Sequence, residues 1–490
     1  MPVHGEKFCR STFSKQQRIS PSTDPDRRLF ITFDLTASMA GNSLGAGIEP
    51  KFGCPGMNLL VTNTQNPQSY AIIRALRPYA EKVVATMEGE NRLLARLSQA
   101  AASRLVDRRY YVPSPVADWW AGNIRRENTD QEEAFVQTLV HICTTEKIDV
   151  IFPSWDPYVY VLSKNKALFE SMGITIPVPD YEVGLRTMDK YQTIQAANEV
   201  GFPCPRTYLY EDQESLQAIV EKEDFPLVIK PRFSSGGRGM AIVKDYPELL
   251  EKLQPIIKNH GKPMIQEYIP GRDRVSFPVL LDRNGELRFA YHKRIVRNFR
   301  VTARFGTVEE SALPDSELLR DAERLLRHVC WWGSVSVGTI RDPRDHQCKL
   351  MEVNPRFSRN MWQRTELGVN EPWMSIKIAK HESIESFKEY PVGVLFICPV
   401  EDLQLLVLQL LDSLIYKLRA TVLRKATLDR LSTPKPIIAQ IRSYLRNYFS
   451  DQTKIIDPHF RQFFRDPLVS ILWWLRFSSW VLGALKHAGR

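Results

Sequence analysis

The chain has 490 residues, 43% hydrophobic and 25% charged, an ordinary globular balance that excludes wholesale disorder, collagen and coiled coil. Lysine and arginine total 66 against 56 acids, a formal +10. Such an excess points to nucleic acid or an anionic membrane only where it is clustered.

Residues 1–56 are rich in Ser, Thr, Pro, Gly and charge and show no sustained periodicity. They are expected to be a flexible extension, or to precede a true start at Met57. The apolar stretch 29–35 is too short for a signal peptide and is interrupted by Asp34. Seven scattered cysteines (Cys9, Cys54, Cys143, Cys204, Cys330, Cys348 and Cys398) include no C-x-x-C. They read as reduced cytoplasmic thiols rather than a disulfide or zinc framework.

From Met57 the rhythm is β-α-β. Short apolar strands are expected over residues 57–62, 82–86, 110–112 and 149–153, with helices over 68–79 and 130–146. This alternation implies a parallel, doubly wound sheet. Asn63-Thr64-Gln65-Asn66 follows the first strand where a dinucleotide-binding fold would carry G-x-G-x-x-G, so a dinucleotide cofactor is not expected. A helix over 189–200 ends at Gly201-Phe202-Pro203. Strands follow over 227–230, 240–243 and 263–269. A hairpin pairs 275–282 with 287–293 through Asp282-Arg283-Asn284-Gly285. A helix over 315–330 precedes paired strands over 335–341 and 349–353, and beyond Pro391 the chain reads as mainly helical. Trp331-Trp332 suits core packing better than a substrate platform.

The richest stretch is Lys230-Pro231-Arg232-Phe233-Ser234-Ser235-Gly236-Gly237-Arg238-Gly239. A strand delivers a lysine to a loop whose glycines let backbone N–H groups surround phosphate oxygens. It is not a P-loop, because the lysine precedes the glycines; an ordinary hairpin loop is the alternative. The second element is Glu352-Val353-Asn354-Pro355-Arg356. In a strand Glu352 and Asn354 share a face and offer hard oxygen ligands to Mg²⁺; the alternative is a polar strand end stopped by proline. Between them stands Gln266-Glu267-Tyr268-Ile269-Pro270-Gly271-Arg272-Asp273.

In this order, and with Asp189-Lys190 ahead of them, these motifs resemble the ATP-grasp superfamily in its carboxylate–amine (or thiol) ligase type, over roughly residues 57–385. The resemblance implies a mixed α/β and α+β chain. A Rossmann-like domain (57–180) would precede an ATP-grasp fold (181–390), and a mainly helical basic region (391–490) would follow. It implies ATP and Mg²⁺ as cofactors. Lys190 and Lys230 would contact phosphates, and Ser234, Ser235, Gly236, Gly237 and Gly239 would close over them. Gln266, Glu267 and Ile269 would line the adenine site, with Asp273 at the ribose. Glu352 and Asn354 would hold the metal. Arg356 would stabilise transferred phosphate, and Lys293 and Arg294, with Arg297 and Arg304 nearby, would hold an anionic substrate. The implied reaction makes an acyl phosphate from a carboxylate and ATP, then an amide with an amine. One departure stands out. The strand before Glu352 carries Gly338 where the family usually has a metal ligand, so either a second metal is lost, leaving one Mg²⁺ at Glu352, or Asp342 or water substitutes. The alternative function is a catalytically weakened ATP-binding regulatory or scaffold protein at a membrane.

Residues 401–490 hold 14 Lys and Arg against seven acids, so +7 of the +10 lies there. Residues 468–485 carry Trp473, Trp474 and Trp480 around a single charge, Arg476. That suits an interfacial helix on an anionic membrane better than a spanning one. The alternative is a helical cap docking on the ligase core. The expected location is cytoplasmic, and peripheral at the inner face of the membrane if the tail binds there. The expected partners are a small-molecule carboxylate and amine, with a homo-oligomer admitted and no nucleic acid.

Overall fold

The computed structural model describes residues 56–88, 100–271, 273–298, 306–386, 389–422, 437–450, 452–457 and 471. The expected leader, Arg272, Arg304 and, apart from Ile471, the apolar segment 468–485 lie outside the described residues.

The first layer is a parallel sheet in the order β3-β2-β1-β4, from β1 (Met57–Val61), β2 (Ala80–Met87), β3 (Arg108–Tyr111) and β4 (Val150–Phe152). Both its faces are buried, as the apolar runs require. Leu59 and Val61 point into one core with Tyr70, Ile72 and Ile73. Leu60 points into the other with Phe135, Leu139 and Ile142 of the helix Asp130–Glu146. That helix starts as its sequence predicts. Thr129 Oγ1 accepts from Glu132 N, and the Glu132 carboxylate accepts from Thr129 N at 2.9 Å, a closed capping box.

The next sheet is antiparallel, in the order β5-β8-β6-β7, from β5 (Thr207–Leu209), β6 (Leu227–Lys230), β7 (Ala241–Val243) and β8 (Met264–Glu267). The later strands are β9 (Arg274–Leu281), β10 (Leu287–Ala290), β11 (His292–Asn298), β12 (Gly306–Ala312), β13 (Gly333–Arg341), β14 (Cys348–Asn354), β15 (Leu395–Ile397) and β16 (Lys454–Ile456). They form two sheets, β10-β9-β13-β14 and β11-β12-β15-β16.

One expectation is corrected here and another is refined. The strand expected over 287–293 breaks at Tyr291, whose side chain is fully buried against Tyr390 with ring centroids 5.2 Å apart. The chain thereby leaves β10 in one sheet and enters β11 in another. The region beyond Pro391 is mainly helical, as expected, with the helices Pro399–Val422 and Ile437–Phe449, and it also contributes two short strands. β15 lies antiparallel to β12, and β16 lies parallel to β15, so this region completes a sheet begun at His292. Three-residue strands carry too little periodicity to be read from sequence. Trp331 and Trp332 are core residues, 2% and 7% exposed. Trp332, Trp362 and Phe396 share one hydrophobic cluster with Leu59 and Val61, so the first layer packs onto the later sheets. Each buried side chain of this size contributes about 1.5–3 kcal/mol.

Candidate active site

Lys190 opens the helix Lys190–Glu199, capped by Asp189, which accepts from Tyr191 N at 3.0 Å. The Asp189 carboxylate is fully buried and paired with Arg232, which fixes the helix start beside the glycine loop. Lys190 donates its ammonium to the Ser234 carbonyl. Lys230 ends β6 and donates to the Met351 carbonyl at 3.1 Å. That carbonyl is available because β14 bulges. Gly338 and Thr339 face Glu352 and Leu350, leaving Met351 as the extra residue.

Glu352 and Asn354 do share a face, for Asn354 Nδ2 donates to Glu352 Oε1 at 3.1 Å. Arg356 follows, its Nε donating to Asp156 Oδ2 at 2.8 Å. Asp156 comes from the first layer, at the start of the helix Asp156–Lys164 just past β4. It sits where β1 is flanked by β2 and β4, the switch point at which parallel sheets hold ligands. Sequence reasoning missed Asp156. The available signal was an acid just beyond the carboxyl end of a parallel strand.

Three cations, Lys190, Lys230 and Arg356, thus gather around two carboxylates, Glu352 and Asp156. Burial pushes Lys230 down to about 8, with Glu352 opposing the shift. Burial also lowers Lys190, against Glu352, Asp156 and Asp189. Burial alone would raise Glu352, but Lys190, Lys230, Asn354 and Arg356 outweigh it and hold the carboxylate ionised. A buried excess of positive charge of this kind suits a polyanion. Glu352 and the Asn354 amide oxygen fit Mg²⁺, which takes one or two protein oxygens and completes its shell with phosphate and water. Among the described residues no three His, Cys, Asp or Glu side chains cluster as a self-sufficient metal site.

Position 338 bears directly on that fit. A Cβ there would stand 3.3 Å from Glu352 Cγ and 4.0 Å from its Oε1, so a side chain at 338 would project beside Glu352. Asp342 does not take its place. Its carboxylate is buried and held by Arg344 and Lys349, which keep it far below the usual carboxylate range.

The glycine loop is held closely on one side. Arg238 lies over Trp120 and Trp155 of the first layer, 4.6 and 5.7 Å from the ring centroids. Gly236, Gly237 and Gly239 have φ of 64°, 73° and 69°. Gly239 also faces His260, whose ring a Cβ would meet at 2.5 Å, whereas a Cβ at Gly236 would meet nothing within 4 Å. Gly239→Ala should therefore cost more than Gly236→Ala. We expect about 1 kcal/mol for backbone strain at 236 and about 2–4 kcal/mol at 239, read by denaturant unfolding. Equal losses would show that the His260 contact yields freely.

The other expected residues have the following partners. The Gln266 amide donates to Thr207 Oγ1 at 2.8 Å, and the Glu267 carboxylate lies between Arg206 and Arg344. Ile269 is buried. Asp273 is exposed and faces Arg341 at 3.4 Å. Lys293 and Arg294 alternate on β11. Lys293 is mostly buried and pairs with Glu309, which also accepts from Gln363 at 2.6 Å. Arg294 is 70% exposed and pairs with Glu310. Arg297 is bound to Asp402 at 2.7 Å.

Comparison with known proteins bears on the domain and the fold. A model of the ATP-grasp domain matches residues 187–359. The D-aspartate ligase of Enterococcus faecium (strain Aus0004) is 22% identical over 264 residues, covering 49% of this chain and 62% of that protein. The match thus spans less than two thirds of that relative's length. Among solved structures, a biotin carboxylase–β,γ-ATP complex from Campylobacter jejuni aligns with TM-score 0.54 and 14% identity, over 69% of this chain and 74% of that one. The biotin carboxylase domain of Hydrogenobacter thermophilus 2-oxoglutarate carboxylase, complexed with MgADP, ADP and bicarbonate, aligns with TM-score 0.52 and 18% identity, over 67% and 71%. At such identities the structures speak for the fold alone. The motif order and the family match converge on an ATP-grasp domain over residues 187–359, and the fold is that of the aligned structures.

Proposed function

We propose that the chain is an ATP-dependent carboxylate–amine ligase. The observation that carries this reading is the cluster of Lys190, Lys230, Glu352, Asn354 and Arg356, with Asp156 behind the arginine. A carboxylate is too poor an electrophile for an amine at neutral pH. Its oxygen attacks the γ-phosphorus of ATP, the bond to the β-phosphate oxygen breaks, and ADP leaves. The amine nitrogen then attacks the acyl carbon, phosphate departs with the C–O electron pair, and the amine proton passes to solvent or phosphate. Such steps need positioning and charge neutralisation more than a protein nucleophile.

Lys190 and Lys230 would bind the polyphosphate and Arg356 the transferred group, while Ser234 to Gly239 would exclude water. Glu352 and Asn354 would hold Mg²⁺, which supplies charge neutralisation at the phosphates. Lys293 would bind the acid by exchanging Glu309 for the substrate carboxylate. Arg294, on the opposite side of β11, is given no role. ATP use and scattered cysteines with no C-x-x-C support a cytoplasmic location as part of this reading. The D-aspartate ligase likeness favours an amino acid as one substrate, which this chain's residues do not specify.

The test is ADP release on adding paired acid and amine pools. We expect release that requires both and is lost in Glu352→Gln. Gly338 supports the rival reading, an ATP-binding regulator without turnover. Nucleotide binding with no ADP release across a broad screen would establish that reading instead.

Lys230 adds a pH signature. Its folded value of about 8 lies below the ordinary 10.5. Between those values the unfolded chain holds the proton and the folded one does not, so free-protein stability should rise with pH across this window. Below pH 8 the buried ammonium is charged at a cost. Phosphate favours the charged form, so nucleotide binding near pH 8 should take up a fraction of a proton, and affinity should fall as pH rises further. Calorimetry in buffers of different ionisation enthalpy measures this. Zero uptake at pH 8 would argue against contact between Lys230 and phosphate.

A further inference from the structure

The helix Pro399–Val422 turns an apolar face to solvent. Among its described side chains the exposed ones are Leu403, Val407, Leu411 and Leu414, all aliphatic and 48–52% exposed. Their spacing of four, four and three places them on one stripe. The two acids of its first turn face the other way. Glu401 and Asp402 are buried, paired with Arg359 and Arg297 respectively. The helix Ile437–Phe449 packs against it and repeats the pattern. Ile438, Ile441, Leu445 and Phe449 are exposed, Phe449 at 80%. Arg442 and Arg446 stand exposed beside them, and the helix carries no acid.

Two further observations say what covers this face. Residues 401–490 carry 14 Lys and Arg against seven acids. Three of those acids, Glu401, Asp402 and Asp457, are buried and so add no negative charge to the surface. The sequence that follows, 468–485, is apolar on all sides of a helical projection and carries three tryptophans and one charge. A single protein face would leave half of such a segment in water, whereas a lipid interface accommodates it. No described helix is long and apolar enough to cross a membrane.

We propose that the helices Pro399–Val422 and Ile437–Phe449 form a docking face for an anionic bilayer. Their aliphatic stripes lie at the level of the headgroups, and Arg442 and Arg446 pair with lipid phosphates. This surface is independent of the ligase reading, since none of these residues belongs to the Glu352 cluster.

The test uses the full chain with vesicles of phosphatidylcholine alone or with about 30 mol % phosphatidylglycerol. We expect sedimentation with the anionic vesicles that is largely lost by about 0.5 M salt. Val407→Glu with Leu411→Glu, or Leu445→Glu with Phe449→Glu, should each weaken partitioning at least ~10-fold with melting temperature unchanged. Arg442→Glu with Arg446→Glu should do so on anionic vesicles alone. Truncation after Asp466 should leave binding that Val407→Glu with Leu411→Glu still weakens. Complete loss on truncation would assign binding to the tail and overturn the proposal. So would failure of the full chain to bind, or variants binding like the parent. A dimer that Val407→Glu with Leu411→Glu dissociates, without vesicle binding, would name a second copy as the occupant instead.

Discussion

Glu352→Gln is expected to lower ADP release at least ~10³-fold, because one charged carboxylate serves both the metal and the lysines. Glutamine keeps the shape and the contact with Asn354 but removes the charge that opposes burial at Lys190 and Lys230. Two buried ammonium groups then lose their shared counter-charge. The free variant should therefore melt below the parent, with Lys230 titrating below its present value of about 8. Nucleotide phosphates would replace the lost charge and raise the melting temperature again. This recovery separates a damaged site from a damaged fold. Turnover within tenfold of the parent would sink the assignment of Glu352.

The second large effect belongs to Asp156. Its carboxylate, 6% exposed, holds Arg356 across 200 residues of chain, and a buried charge-assisted bond of 2.8 Å fixes direction as well as distance. Asp156→Ala leaves Arg356 free to turn away from the transferred phosphoryl group. We expect kcat to fall about 10–100-fold with KM for ATP within about threefold, since Lys190 and Lys230 are untouched. A double-mutant cycle identifies the cause. If Asp156 acts through Arg356, Asp156→Ala with Arg356→Ala is no worse than Arg356→Ala alone. Additive losses would show that Asp156 has a separate role.

These two residues mark what a linear reading can reach. Lys230, Glu352, Asn354 and Arg356 stood in short motifs that strand alternation and a proline stop make visible, while Lys190 was singled out by the family resemblance, which also joined them into one site. Asp156 belongs to the same site only through tertiary packing, and nothing near it in sequence announces Arg356. β6 and β14 were legible because apolar runs end at proline or a turn. β12 was not, since Gly306–Ala312 reads as polar. Glu309 and Glu310 are nonetheless 5% and 8% exposed, each neutralised by a basic partner on β11. Burial by ion pairing defeats a reading based on hydrophobic period. The same pairings explain why Lys293 and Arg294 looked like free cations in the sequence.

The sheet β11-β12-β15-β16 has a consequence for synthesis. β12 finishes at Ala312, but its neighbour β15 begins at Leu395 and the closing strand β16 at Lys454. On the ribosome, roughly 80 residues must emerge before the backbone groups of β12 facing β15 find partners, and about 140 before the sheet is closed. During that interval β12 is an open edge, able to pair with another nascent chain. Its two glutamates, with Lys293 and Arg294 opposite, make that edge a poor template for an apolar strand. The charges that hide the strand from a sequence reader also guard it while the protein is being made.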